Sequence, residues 1–253
     1  GCTGGYNLAN EYFNLTHPYG QWKDTGIRLE GDAVRSLTVT FLEMWNAVSD
    51  RDENDTEFSR FLTDYPYEAQ QTGFIQPYAD SPLDNEQVGE EIYISMVNKA
   101  EKYCWFMTPH LIITDEMAHA LTLAAKRGVD VRIITPGIPD KKVVFAITRS
   151  YYSGLARQGV RIFEYTPGFC HAKQCLCDGK IASIGSSNFD YRSLYHHFEN
   201  DVLLYGCDAI GDMARDFDVL FSQCTEVTQR YSTGSGAILR MWQCILRLFA
   251  PLV

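Results

Sequence analysis

The residues able to do chemistry gather in one run: His171-Ala-Lys173, then Asp178, then Gly185-Ser186-Ser187-Asn188. Strand side chains alternate between faces, so a histidine and a lysine two apart share a face. An imidazole able to attack or to shuttle a proton therefore stands beside a fixed ammonium. The Gly-Ser-Ser-Asn turn adds small hydrogen-bond donors and a carboxamide. A nucleophile or acid, a cation and neutral donors on one spot suit a phosphate group.

An incomplete copy of this pattern opens the chain. Gly5 and Asn7 fall on Ser186 and Asn188 at an offset of 181. The segment from Asp24 to Gly31 falls on that from Glu199 to Gly206 at an offset of 175. In each, a carboxylate opens an alternating strand that a glycine ends. Phe41 and Trp45 then match Phe217 and Phe221. The offsets differ in the loop holding Pro18 and Gly20, where length changes cost little. This ordered series indicates an internal duplication, and it puts the counterpart of His171 at position −10, just before Gly1. The chain reads as a fragment that starts inside the first copy.

These groups need a scaffold, and the intervening pattern predicts one. Residues 32–48 form an amphipathic helix with Val34, Leu37, Phe41 and Trp45 on one face. Residues 50–57 are acidic and carry no apolar side chain, as in a solvated loop. From 74 onward strands and helices alternate: helix 88–103, strand 104–107, helix 115–127 capped by Asp115 and stopped by Gly128, and strand 129–135. Helix 141–157, strand 160–165, a 171–177/180–184 hairpin across Asp178-Gly179, strand 200–205 and helix 208–224 follow. Such alternation indicates an α/β domain.

Composition narrows the partners. The 253 residues are 45% hydrophobic, enough to fill a core, and carry a net charge of −10, which argues against nucleic acid. It leaves room for a small positive pocket. The eight cysteines show no framework of paired spacings and read as buried, reduced thiols. Cys175 and Cys177 alternate beside His171, but a second ligand pair at metal spacing is missing, so no metal and no cofactor are expected.

The His171-x-Lys173-x4-Asp178-x6-Gly185-Ser186-x-Asn188 run resembles the signature of the phospholipase D superfamily. Gln76 to Pro82, Thr122 to Arg132, Tyr165 to Phe169 and Asn188 to Leu194 are similar to bacterial cardiolipin synthases. The resemblance implies a phospholipase D-like α/β fold, a mixed β-sheet flanked by helices, in two pseudo-repeated domains with the first truncated. Residues 1–50 would be the remnant of the first domain and 51–73 an acidic linker. Residues 74–230 would be the second domain, with the complete motif, and 231–253 a C-terminal amphipathic helix.

It also implies a chemistry. Two phosphatidylglycerol molecules would be donor and acceptor, a phosphohistidine the intermediate, and glycerol the released product. The family pattern makes the absent first histidine the nucleophile and His171 the acid/base. Lys173 would neutralise phosphoryl oxygens, Glu199 would orient His171, and Asp24 would orient the absent histidine. Asn188, Ser186 and Asn7 would bind the substrate phosphate. Asp178 belongs to the catalytic signature, although its hairpin position argues for a structural part. His110, His196 and His197 read as surface or pocket lining, and Arg192 as a site-stabilising or headgroup-contacting residue. The implied partner is a membrane lipid surface, with spanning segments upstream of Gly1 and a peripheral or cytoplasm-facing catalytic part.

Residues 237–249 place Arg240, Gln243 and Arg247 on one helical face, suited to a membrane surface or to docking on the protein's own core. With one histidine motif broken, the fragment alone is expected to turn over little. The alternatives are a phospholipase D-type hydrolase, in which water replaces the acceptor alcohol, and an inactive lipid-binding remnant.

Overall fold

Strands and helices alternate as the pattern predicts in the computed structural model, which describes residues 1–48, 58–63, 66–70, 72–233 and 245–248. The chain begins with β1 (Cys2–Gly4), a 3-10 turn (Asn10–Phe13), β2 (Gln21–Lys23), β3 (Gly26–Arg28) and α1 (Ala33–Val48). After a second 3-10 turn (Phe58–Phe61) come β4 (Phe74–Asp80), α2 (Val88–Lys99), β5 (Tyr103–Met107), β6 (Leu111–Ile112) and α3 (Asp115–Lys126). Next are β7 (Asp130–Pro136), α4 (Lys142–Ala156), β8 (Arg161–Tyr165), β9 (Gly168–Cys170), β10 (Lys173–Cys177) and β11 (Ile181–Gly185). The described elements close with β12 (Phe189–Asp190), α5 (Tyr191–Tyr195), β13 (Glu199–Tyr205), α6 (Asp208–Gln223), β14 (Cys224–Glu226) and α7 (Thr228–Ser232).

Eight strands form one mixed sheet in the order β14-β8-β7-β5-β10-β11-β13-β4. Only β5–β7 and β7–β8 pair in parallel. Pro77 sits on β4, an edge strand, where a missing N–H costs least. Period-two alternation divides the core. Cys104, Phe106, Ile133 and Cys175 pack on one face with Tyr93, Leu121 and Ile147 from the helices. Ile134, Leu176 and Leu204 pack on the other with Phe217 and Leu220 of α6. β10 is buried along its whole length, which holds its two ends rigidly.

The duplication is visible in the strand register. Gly4 lies opposite Gly26 in the β1–β3 pair. Their repeat equivalents, Gly185 and Asp201, lie opposite each other in β11–β13.

Several expectations need correction. The α3 cap is Thr114, whose hydroxyl accepts the Met117 N–H at 3.1 Å, while Asp115 begins the first turn. The helix expected to reach residue 103 ends at Lys99, because the Asp178 carboxylate accepts the N–H groups of Glu101, Lys102 and Tyr103 and turns the chain into β5. The hairpin turn has positive φ at Asp178 (54°) and Gly179 (64°), but Cys177 pairs with Ile181, so Lys180 is one extra residue. Cys104 and Cys177 face each other across β5 and β10 with their sulfurs in contact. Cys175 is the third sulfur of this buried cluster.

The predicted face of α1 divides. Val34 and Leu37 pack against the core, while Phe41 and Trp45 are 59% and 57% exposed. Their equivalents Phe217 and Phe221 pack against Trp105 of the large sheet. The acidic stretch 51–57, with 49–50, and most of the C-terminal helix, 234–244 and 249–253, lie outside the described residues. Within 245–248, Leu246 packs on the core and Arg247 donates to the Ser150 carbonyl at 2.7 Å while lying over the Tyr151 ring. That part docks on the protein itself.

Candidate active site

His171 lies between β9 and β10, and its backbone N–H donates to the Lys23 carbonyl at 2.7 Å. This bond extends the parallel pairing of β2 with β9, in which Lys23 is opposite Cys170. The next residue, Asp24, is thereby delivered to the imidazole, its Oδ2 2.9 Å from His171 Nδ1. Asp24 is buried; it also accepts the Thr25 N–H at 2.9 Å and the Trp22 indole N–H at 3.4 Å. Gly5 makes room for it: a Cβ there would lie 2.1 Å from Asp24 Oδ1.

Lys173 is buried at the start of β10. Its Nζ donates to the His171 carbonyl at 2.6 Å and lies 2.7 and 2.9 Å from the two ring nitrogens. Burial pulls the ammonium down to about 8, against the attraction of Asp24 and Glu199. Burial also lowers His171, and this outweighs its hydrogen bond to Asp24. Nδ1 faces the Asp24 carboxylate, and Nε2 lies beside the Lys173 ammonium. Tyr12 meets it edge-on at 5.2 Å, and Trp22 and Phe169 flank it at 5.3 and 6.0 Å.

The expected carboxylate pairing is reversed. Glu199 does not reach His171; it accepts from the Ser186 hydroxyl at 2.5 Å, with His197 Nδ1 3.5 Å from its other oxygen. Asp24, expected to serve the absent histidine, is the residue that holds His171. The cause is the parallel β2–β9 pairing, which carries Asp24 across to His171. Burial raises Glu199 to about 7, despite its bond to Ser186.

Asp178 is a second correction. It sits at the far end of β10 from His171, and its carboxylate is spent on the three N–H groups before β5, so it is no part of the site. Ser186 also accepts the Asn200 N–H at 2.9 Å, which ties the turn to β13. Asn188 has its carboxamide oxygen buried with no partner among the described residues. Asn7 is exposed and donates to the Tyr12 hydroxyl at 2.8 Å, so it borders His171 through Tyr12. His196 and Arg192 are exposed.

Asp190 escaped the sequence reading. It caps α5, accepting the Ser193 N–H at 2.8 Å, and its Oδ2 lies 2.9 Å from His110 Nδ1. Burial raises its pKa, but the His110 hydrogen bond and charge prevail and hold it below the usual carboxylate range. Its spacing of two from Asn188 was the available signal. The aromatic wall followed the same rule, Trp22 two before Asp24 and Phe169 two before His171.

The family described as "Cardiolipin synthase, PLD-like domain" matches residues 93–221, from α2 into α6. The chain belongs to this family. It is 46% identical to an uncharacterized protein of Streptococcus mutans over 250 residues, 99% of this chain and 53% of that one. It is 34% identical to a cardiolipin synthase of Geobacillus kaustophilus over 258 residues, 100% of this chain and 50% of that one. The chain therefore spans about half the length of these relatives. Its fold is shared with the crystal structure of phosphatidylserine synthase from Haemophilus influenzae, at a TM-score of 0.65 and 14% identity over 99% of this chain and 66% of that one.

Proposed function

We propose that the chain supplies the second half of the machinery of a phosphatidyltransferase that joins two phosphatidylglycerol molecules into cardiolipin and releases glycerol. The observation that carries this reading is the set of half-buried His171 with buried Asp24 and Lys173 in a chain of the cardiolipin synthase family. In the first step a histidine from the other copy of the motif attacks phosphorus. The bond to the glycerol oxygen breaks, and protonated His171 gives that oxygen its proton. In the second step neutral His171 takes the proton of an incoming phosphatidylglycerol hydroxyl, whose oxygen displaces the phosphohistidine. Lys173 balances the phosphoryl charge, and Asp24 steadies the imidazolium.

Residues 1–50 act in this reading as the end of a first domain and 74–230 as a second domain. The exposed Phe41 and Trp45, whose equivalents cover a sheet, support that division. The segment from Tyr6 to Leu15 supports approach to lipid: Tyr6, Leu8, Phe13 and Leu15 are exposed, Leu8 to 98%, beside Asn7 and Tyr12 at the site. Among the described residues no helix is long and apolar enough to cross a membrane. The described residues bring one His–Lys pair to the site, so the chain alone turns over little. Labelled phosphatidylglycerol given to this chain and to the full-length protein tests the proposal. Cardiolipin from the full-length protein only is the expected result. Rapid turnover by the chain alone overturns the account of the site, and phosphatidic acid as sole product overturns the transfer in favour of hydrolysis.

A further inference from the structure

One histidine of the site has no part in this chemistry. β5 and β10 pair with Gln174 opposite Met107, and that register continued past the last pair sets His110 beside His171. The backbone there is fixed. The Thr108 hydroxyl donates to the His110 carbonyl at 2.7 Å and accepts the Phe189 N–H at 3.1 Å, and the Leu111 N–H donates to Thr148 at 3.2 Å. Asp190, buried and held by the α5 N-terminus, takes the His110 Nδ1 proton. An imidazole so anchored turns Nε2 away from Asp190.

His110 Nε2 is buried and has no partner among the described residues, and neither has the Asn188 oxygen two residues before Asp190. A buried polar atom left unpaired costs about 1–3 kcal/mol, a cost that a hydrogen bond from a ligand removes. The Asn188 oxygen only accepts and so does not suit a phosphoryl oxygen, whereas a hydroxyl, which both donates and accepts, suits that oxygen and His110 Nε2 alike.

We propose that His110, oriented by Asp190, is a binding residue for the hydroxyl groups of a polyol headgroup whose phosphate lies at His171 and Lys173. The assignment rests on the phosphodiester reading of the site and extends it to headgroup choice. Hydroxyl-bearing glycerol would be favoured over choline, which offers no O–H donor.

The test is nitrogen-15 NMR of the histidines of this chain during titration with glycerophosphoglycerol and, separately, glycerophosphocholine. The expected result is that glycerophosphoglycerol moves the His110 Nε2 resonance. His110→Ala should then weaken that ester about five-fold, the loss of one neutral hydrogen bond, and leave glycerophosphocholine unchanged, while His110→Gln, which keeps an acceptor, restores part of the difference. Equal weakening for both esters, or a His110 resonance indifferent to both, overturns the proposal. Thermal melts of the variants separate lost binding from lost folding. Cardiolipin formation by the wild-type full-length protein is scored independently, so failure of the headgroup assignment and failure of the phosphatidyl-transfer reading give different results.

Discussion

His171 takes its carboxylate from a residue 147 positions earlier in the chain. Asp24→Asn removes the charge and should lower full-length turnover about 10²- to 10⁴-fold with little change in KM, read by steady-state kinetics. Gly5→Ala should approach that loss without touching a polar group, since its Cβ would push Asp24 off the ring. An unaffected rate in that variant would refute the packing argument. The Lys173 ammonium, lowered to about 8, discharges as pH rises through that value, so activity should fall on the alkaline side near pH 8. Lys173→Arg, always charged, should move this limb upward even if its maximum rate is lower. The site's residue types were legible because strand alternation pairs His171 with Lys173. The partner of His171 was not legible: the parallel β2–β9 pairing brings in Asp24, and neither three-residue strand has a period to read.

At the scale of elements, the long helices and β5, β7, β8, β10 and β11 followed from periodicity and glycine stops. The strands of two or three residues, β6, β9, β12 and β14, carried too little pattern to be seen, yet they bring His110 and Asp190 together. Asp178 shows how a signature residue can belong to the scaffold. Asp178→Ala should cost about 1–2 kcal/mol of stability, comparable to the loss of a helix cap, while activity per folded full-length molecule stays unchanged. Denaturant melts and active-site-normalised rates check the two halves of that statement. The Tyr6 to Leu15 segment carries a separate expectation. Leu8→Asp with Leu15→Asp should reduce binding to phosphatidylglycerol vesicles in a sedimentation assay, since two exposed apolar contacts become anionic; equal binding would remove this segment from the lipid surface.

For the molecule as a whole, net charge argued against a nucleic-acid binder but said little about where charge is stored. Asp201 is fully buried between the repeats' equivalent turns and bonded to Ser187, and burial raises it from 3.8 to about 7. The folded chain holds a proton that the unfolded chain releases above its ordinary carboxylate range. Stability therefore falls as pH rises through that window up to about 7, by at most roughly 1.4 kcal/mol per pH unit for this one group. Asp201→Asn removes the titration, so its melting temperature relative to the wild type should climb between pH 5 and pH 8. A difference flat with pH would mean that Asp201 is ionised in the fold.

The crossing of Asp24 to His171 also has a consequence for the order of synthesis. A ribosome releases the carboxylate first and the imidazole long after it, and neither can act until β2 and β9 have paired. The strand pairing thus serves as a completion check: a chain interrupted after Asp24 lacks His171, and one in which β2 and β9 do not meet leaves that ring without its anchor. Assembly of the Asp24–His171 pair is thereby made conditional on both segments being present, by connectivity alone.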